Sequence, residues 1–240
     1  MKLTGLSSFP AKALLVSAIA ISASLPVHAD TISWTDWTSS NPGNPVGSAN
    51  GSIAGGPTVA YTGQINDLFT GAPTWGPASM YTGGIVGNAP TTTDGMVAMV
   101  GGSSVTESIV FSSAVVNPVI AIFSLGAPGV PASFDFTAAE PFTVVAGGPS
   151  TEFGGSSVVQ VGTSVSGQEG NGVIVFSDTY TEIDFTTPTY ENYFGFTVGD
   201  DTNPSDPPAP TPEPETLTLF GFGLVMLPFL RSSFARRQRA

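Results

Sequence analysis

Between residues 30 and 198 the apolar side chains come in short runs rich in Val, Ile, Phe and Thr, broken every few positions by Gly, Pro, Asn and Ser. No stretch of useful length keeps the 3.6-residue spacing of an amphipathic helix, so the pattern predicts strands and turns. Candidate strands are 31–37, 58–63, 95–100, 105–112, 115–124, 132–137, 142–146, 157–165, 173–177, 180–186 and 193–198. About eleven strands in one domain predict an all-β fold, a single jelly-roll-like β-sandwich over 30–198. Alternation is clearest at 180–186, where Tyr180, Glu182, Asp184 and Thr186 face one way and Thr181, Ile183 and Phe185 the other. The segment 115–123 is apolar on both parities apart from Asn117, as expected of a central strand covered on both faces, with Pro118 marking a bulge or an edge. No repeat of fixed period is present, which argues against a solenoid.

Two segments at the ends follow another pattern. Lys2 and Lys12 precede an apolar run at 13–25, then Pro26 and the small-residue site Val27-His28-Ala29. This predicts a secretory signal peptide over 1–29, cut by signal peptidase between Ala29 and Asp30. At the other end, 216–230 is an apolar stretch of fifteen residues. As a helix it covers only about 22 Å of a ~30 Å hydrocarbon core. Extended through Ala235, with Arg231 snorkelling toward the headgroups, it reaches about twenty residues and spans. The expectation is a transmembrane helix with an Arg-rich tail over 216–240, its basic stop formed by Arg231, Arg236, Arg237 and Arg239. The intervening 199–215, GDDTNPSDPPAPTPEPE, has no large apolar residue and predicts an extended, solvated linker.

Charge sharpens this division. All six Lys and Arg lie at the extremities, whereas all eighteen Asp and Glu lie between Lys12 and Arg231. Basic residues flanking an apolar segment hold that flank on the cytoplasmic side, so the arrangement predicts that the middle of the chain is exported. There is no cysteine, so the exported fold must hold by burial and hydrogen bonding alone.

Proline-rich linker, Pro-Glu-Pro triplet (Pro212, Glu213, Pro214), apolar segment with Gly221-Phe222-Gly223-Leu224, then terminal arginines: this order resembles the PEP-CTERM sorting signal of Gram-negative bacteria, also called the ice-binding protein C-terminal domain. The resemblance covers about thirty residues. It implies recognition by an exosortase, a membrane-embedded cysteine transpeptidase, with processing near Pro212, Glu213 and Pro214 and transfer to the cell surface or exopolysaccharide matrix. The chain departs from the usual pattern in two ways: Ser232 to Ala235 and Gln238 interrupt the arginines, and Pro228 sits inside the apolar segment. Thr-x-Thr ladders suited to an ice-binding face are not repeated; Thr91 to Thr93 and Thr187-Pro188-Thr189 stand alone.

The middle domain has no His, Cys, Lys or Arg once His28 leaves with the signal peptide. That composition excludes a Ser-His-Asp or Cys-His nucleophile, a His-bound zinc, a lysine Schiff base and an arginine phosphate clamp. Nucleic acid is excluded as a partner because no cation meets its phosphates.

What remains is oxygen chemistry. Asp178, Glu182 and Asp184 form the first candidate set, for calcium or for acid–base work on glycosidic bonds; Glu169 with Asn171 and Asp200 with Asp201 are further calcium candidates. Glu182 and Asp184 lie about 7 Å apart along one strand face, the ordinary spacing of a solvated face. Trp34 and Trp37 fall on opposite faces of a strand, predicting one in the core and one open to stack on a sugar, and Trp75 sits in a Gly/Pro loop. The resulting expectation is a non-enzymatic surface or matrix protein without an obligate cofactor, the alternatives being a carbohydrate-binding module, with or without calcium, and an acidic-residue glycosidase.

Overall fold

The computed structural model describes residues 29–71 and 74–201. The expected signal peptide up to His28, the expected linker beyond Asp201, the Pro-Glu-Pro motif, the apolar C-terminal segment and the arginines lie outside the described residues. Among the described residues no helix is long and apolar enough to cross a membrane.

The fold is all-β, as expected. Its strands are β1 (Ile32–Asn41), β2 (Gly43–Ile53), β3 (Thr58–Ile65), β4 (Asp67–Phe69), β5 (Met96–Met99), β6 (Ser103–Val116), β7 (Val119–Leu125), β8 (Ala132–Phe136), β9 (Phe142–Gly147), β10 (Ser156–Ser157), β11 (Val159–Val161), β12 (Ser164–Gly167), β13 (Gly170–Phe176), β14 (Thr179–Thr187) and β15 (Phe194–Asp201). One 3-10 turn, Ala78–Met80, interrupts the segment between β4 and β5. The strands join in the order β10-β13-β7-β15-β1-β2-β3-β6-β14-β8-β12-β11, with β5 also on β15, β4 on β5, and β9 on β13. Pairing is antiparallel except for the two-residue contact of β10 with β13. The result is a large, nearly closed antiparallel sheet.

β1 turns the sheet. Ile32 to Trp34 pair with β15, whereas Thr35 to Asn41 pair with β2, so one strand serves both halves of the wrap. Side chains secure the changeover. The Thr35 hydroxyl donates to the Val198 carbonyl at 2.7 Å, and the Trp37 indole N–H donates to the Thr197 hydroxyl at 3.0 Å.

Inside the wrap lies an aromatic-rich core. Phe134 meets Phe185, Phe194 and Phe196 edge-on or tilted, at centroid distances of 5.2, 5.6 and 6.1 Å. Phe136, Phe142 and Phe176 form a second group at 5.1 to 5.9 Å. A fully buried Phe contributes roughly 1.5–3 kcal/mol, so these rings supply much of what disulfides supply elsewhere.

A second cluster covers the outer face of the β15-β7-β13 half: Trp34, Trp75, Met80, Tyr81, Val86, Val119, Ala121, Phe123 and Val173. This explains why β7 and β13 are buried at every position, as the two-sided apolar pattern of 115–123 predicted for β7. The predicted run 115–124 is nonetheless two strands. Asn117 takes a left-handed φ of 51° ahead of Pro118, which breaks β6 from β7.

Three details differ from the sequence pattern. β2 is Gly-, Asn- and Ser-rich and lies outside the predicted strands, yet Gly47, Ala49, Gly51 and Ile53 alternate inward. A Cβ on Gly51 would come within 2.7 Å of the Asp36 carbonyl, so the neighbouring strand requires the small residue. In β14 a register shift between Tyr180 and Glu182 turns Tyr180 inward, against the predicted alternation. Finally β15 runs three residues into the expected linker, pairing Gly199, Asp200 and Asp201 with Trp34, Ser33 and Ile32.

Candidate functional site

Where β7 ends and the turn before β13 begins, the chain opens a cleft of about 200 Å³ lined by Ser124, Ala127, Phe153, Glu169, Glu191, Asn192 and Tyr193. Its floor is set by two non-glycine residues in the left-handed region, Ser124 at φ 55° and Glu169 at φ 52°. Such residues are sparsely populated and cluster at functional sites.

Three bonds from one buried side chain hold them. Asn171 accepts from the Ser124 N–H at 2.8 Å and donates to the carbonyls of Glu169 at 2.9 Å and Gly154 at 3.3 Å. The Ser124 hydroxyl then donates to Glu169 Oε2 at 2.5 Å.

The opposite wall comes from the turn before β15. Glu191 is only 6% exposed, and its Oε1 accepts from the Tyr193 N–H at 2.6 Å. Burial and the nearby Glu169 carboxylate push its pKa up to about 7. The rings of Phe123, Phe153 and Tyr193 form a triangle with centroid distances of 5.8, 5.9 and 6.0 Å, and Phe153 is 48% exposed. The cleft thus pairs two carboxylates with an accessible aromatic wall. Burial and the charges of Glu152 and Asp67 push the Tyr193 phenol up to about 12, so it stays a neutral donor.

A broader open trough of about 480 Å³ crosses the outer faces of β1, β2, β3 and β6, between Thr38, Asn50, Ser52, Thr58, Val110 and Ser112. It presents hydroxyls but neither a charged nor an aromatic side chain.

The predicted site residues scatter. Asp178 sits in the turn before β14, its carboxylate accepting from the Thr179 N–H at 2.7 Å. Glu182 is exposed and accepts from the Ser108 hydroxyl at 2.6 Å. Asp184 is half-buried; its backbone N–H donates to Glu140 at 2.6 Å, and burial raises its carboxyl pKa. Among the described residues no three His, Cys, Asp or Glu side chains converge to hold a metal ion. Of the pair Glu169 and Asn171, the first lines the cleft and the second is consumed in holding it.

The tryptophans correct an expectation. Trp34, Trp37 and Trp75 are all buried, so none offers a stacking platform. Trp34 and Trp37 do face opposite ways, but the outward-facing Trp34 is covered by the second apolar cluster. Trp75 packs edge-on against Tyr81 at 5.1 Å.

Sequence reasoning missed Ser124, Phe153, Glu191 and Tyr193, which come from three separate stretches of the chain. It also missed Glu107, a fully buried carboxylate in β6. Tyr61 and Thr187 hydroxyls donate to it, and the Gln64 N–H does so at 3.2 Å. Burial raises its pKa, the three donors partly offsetting that rise. Glu107 shares the inward parity of Ile109 and Phe111 in β6, and a carboxylate on that parity was the available signal.

The chain matches no protein-family model, no curated protein and no solved structure.

Proposed function

We propose that this is an exported protein delivered to the cell surface or extracellular matrix, where its sandwich-like β-body has a non-enzymatic structural or interaction role. The observation that carries this reading is the segregation of charge. Every Lys and Arg flanks one of two terminal apolar segments, and residues 29–201 contain no Lys, Arg, His or Cys. On this reading signal peptidase acts at Ala29 and Asp30. An exosortase acts at Pro212, Glu213 and Pro214 after the C-terminal helix has held the precursor in the inner membrane, with Arg231, Arg236, Arg237 and Arg239 inside. Deleting residues 212–240 should leave export intact and abolish surface retention; unchanged localisation overturns the proposal.

The cleft favours a second reading, a saccharide-binding module. Exposed Phe153 offers a face for a sugar ring, and Glu169 and Glu191 offer acceptors for its hydroxyls. Exopolysaccharide is the partner that the sorting signal makes available. A calcium-assisted form is tested by the melting temperature, and an unchanged value up to about millimolar calcium sinks it. A glycan array probed with the full chain separates the two readings, since consistent silence favours the purely structural role.

A further inference from the structure

We infer that the signal-peptidase cut builds one cation into the exported body, a role that rests on the export reading. The α-ammonium of Asp30 docks on the Ile85 carbonyl, and residues 30–34 strap down the segment that covers the second apolar cluster.

Two independent observations meet at one peptide bond. The sequence places the cut after the small-residue site Val27-His28-Ala29. In the fold Ala29 is exposed, whereas Asp30 is tied on both sides: its N–H donates to the Ile85 carbonyl at 2.7 Å, and its carbonyl accepts from the Gly87 N–H at 2.8 Å. The acceptor is fixed in place, because Gly83 and Val86 exchange two backbone hydrogen bonds at 2.9 Å around Gly84 and Ile85. Asn88 continues the strap. Its Oδ1 accepts from the Ile32 N–H at 2.7 Å, its Nδ2 donates to the Ile32 carbonyl at 3.0 Å, and its own carbonyl accepts from the Trp34 indole N–H at 3.3 Å. Ile32, Trp34 and Val86 are buried in the second cluster with Trp75 and Tyr81, so the strap holds the cover of β7 and β13.

Water added across the Ala29–Asp30 amide leaves a carboxylate on Ala29, which departs with the signal peptide, and an ammonium on the nitrogen that faces Ile85. The donor atom keeps its acceptor and gains a full charge, and charge-assisted hydrogen bonds are roughly twice as strong as neutral ones. No Lys, Arg or His lies within residues 30–201, and all acidic residues except Asp206, Glu213 and Glu215 do, so the field of the body favours the new charge. A cut after Thr31 would remove both Asp30 bonds; a cut well before Asp30 would leave the bond to Ile85 neutral.

Terminal sequencing of the exported chain recovered from cells should begin at Asp30. That chain carries neither Lys2 nor Lys12, so its α-amine is its one amine and an amine-selective acetylating reagent reports on it alone. Acetylation restores the neutral amide and leaves an N–H for Ile85, which isolates the contribution of the charge. It should lower the melting temperature by about 2–4 °C at low salt, and by less at about 1 M salt. The folded chain should acetylate at least about tenfold more slowly than the urea-unfolded chain, and Asn88→Ala should raise the folded rate several-fold. A recovered chain that keeps residues 1–29 overturns the export reading itself. A start beyond Asp30, an unchanged melting temperature on acetylation, equal folded and unfolded rates, or an unaltered rate in Asn88→Ala overturns the docked ammonium while leaving export intact.

Discussion

Ser124 and Glu169 meet hydroxyl to carboxylate at 2.5 Å, each in a left-handed backbone conformation that its residue type rarely adopts. Two such residues in direct contact are held by their surroundings, because each costs of order 1–3 kcal/mol in isolation. Asn171 is the common restraint. Asn171→Ala should therefore lower stability by about 2 kcal/mol, chiefly through a stranded Ser124 N–H, since the Glu169 and Gly154 carbonyls keep the Ser156 and Ser150 N–H groups. Ser124→Ala, which removes only the hydroxyl, should cost about 1 kcal/mol. Urea unfolding of both variants checks the order, and equal losses would contradict it.

Glycine is demanded unequally along this edge. Gly155 has φ 80° and stands where a Cβ would collide with the Glu169 carbonyl, while Gly162 has φ 63° with nothing within 4 Å. Gly162→Ala should cost about 1 kcal/mol, from backbone strain alone. Gly155→Ala should cost at least about 2 kcal/mol more, because the Glu169 turn must move. Thermal denaturation of the pair distinguishes the two contributions.

Glu107 has no counter-ion and three donors. Glu107→Leu should destabilise by roughly 3 kcal/mol, since it leaves the Thr187 hydroxyl and the Gln64 N–H unpaired in the core, while the Tyr61 hydroxyl keeps the Gln64 carbonyl at 3.0 Å. Glu107→Gln keeps an acceptor without the charge and should recover most of that loss. A Gln variant as damaged as the Leu variant would mean that the charge itself holds the site.

Stability should fall as pH rises through neutrality. Glu191 is pushed up to about 7 and Asp200 to about 6, both chiefly by burial. The folded state thus binds protons more tightly than the unfolded chain, whose carboxyls titrate near 4. Their stabilising protonation is complete below about pH 4 and lost as pH climbs past 6 and then 7. The urea midpoint should drop between about pH 5 and pH 8; a flat or rising midpoint would refute this. Glu191→Gln should flatten the upper part of the curve.

Much of the architecture was legible because strands with a buried face announce themselves. β7, apolar on both parities, read as central, and Ile183 and Phe185 marked the inward face of β14. β2 was illegible because its inward positions are Gly and Ala, so burial there is expressed as close backbone approach, which hydropathy does not register. The site was less legible than the fold. Glu169 drew notice for a calcium loop, but Glu191 became its partner only through the pairing of β7 with both β13 and β15. The tryptophans misled for a related reason: whether Trp34 or Trp75 is covered depends on where the segment between β4 and β5 folds back.

β15 lies between β1 and β7, so the chain leaves the described body from the middle of a sheet rather than from its rim. A pull applied through residues beyond Asp201 would load the β1 ladder at Gly199 to Asp201 and, behind it, the β7 ladder at Gly195 to Gly199 lengthwise, instead of opening one rung at a time. Mechanically, the end facing the proposed anchor is the end best built to resist being drawn out of the fold.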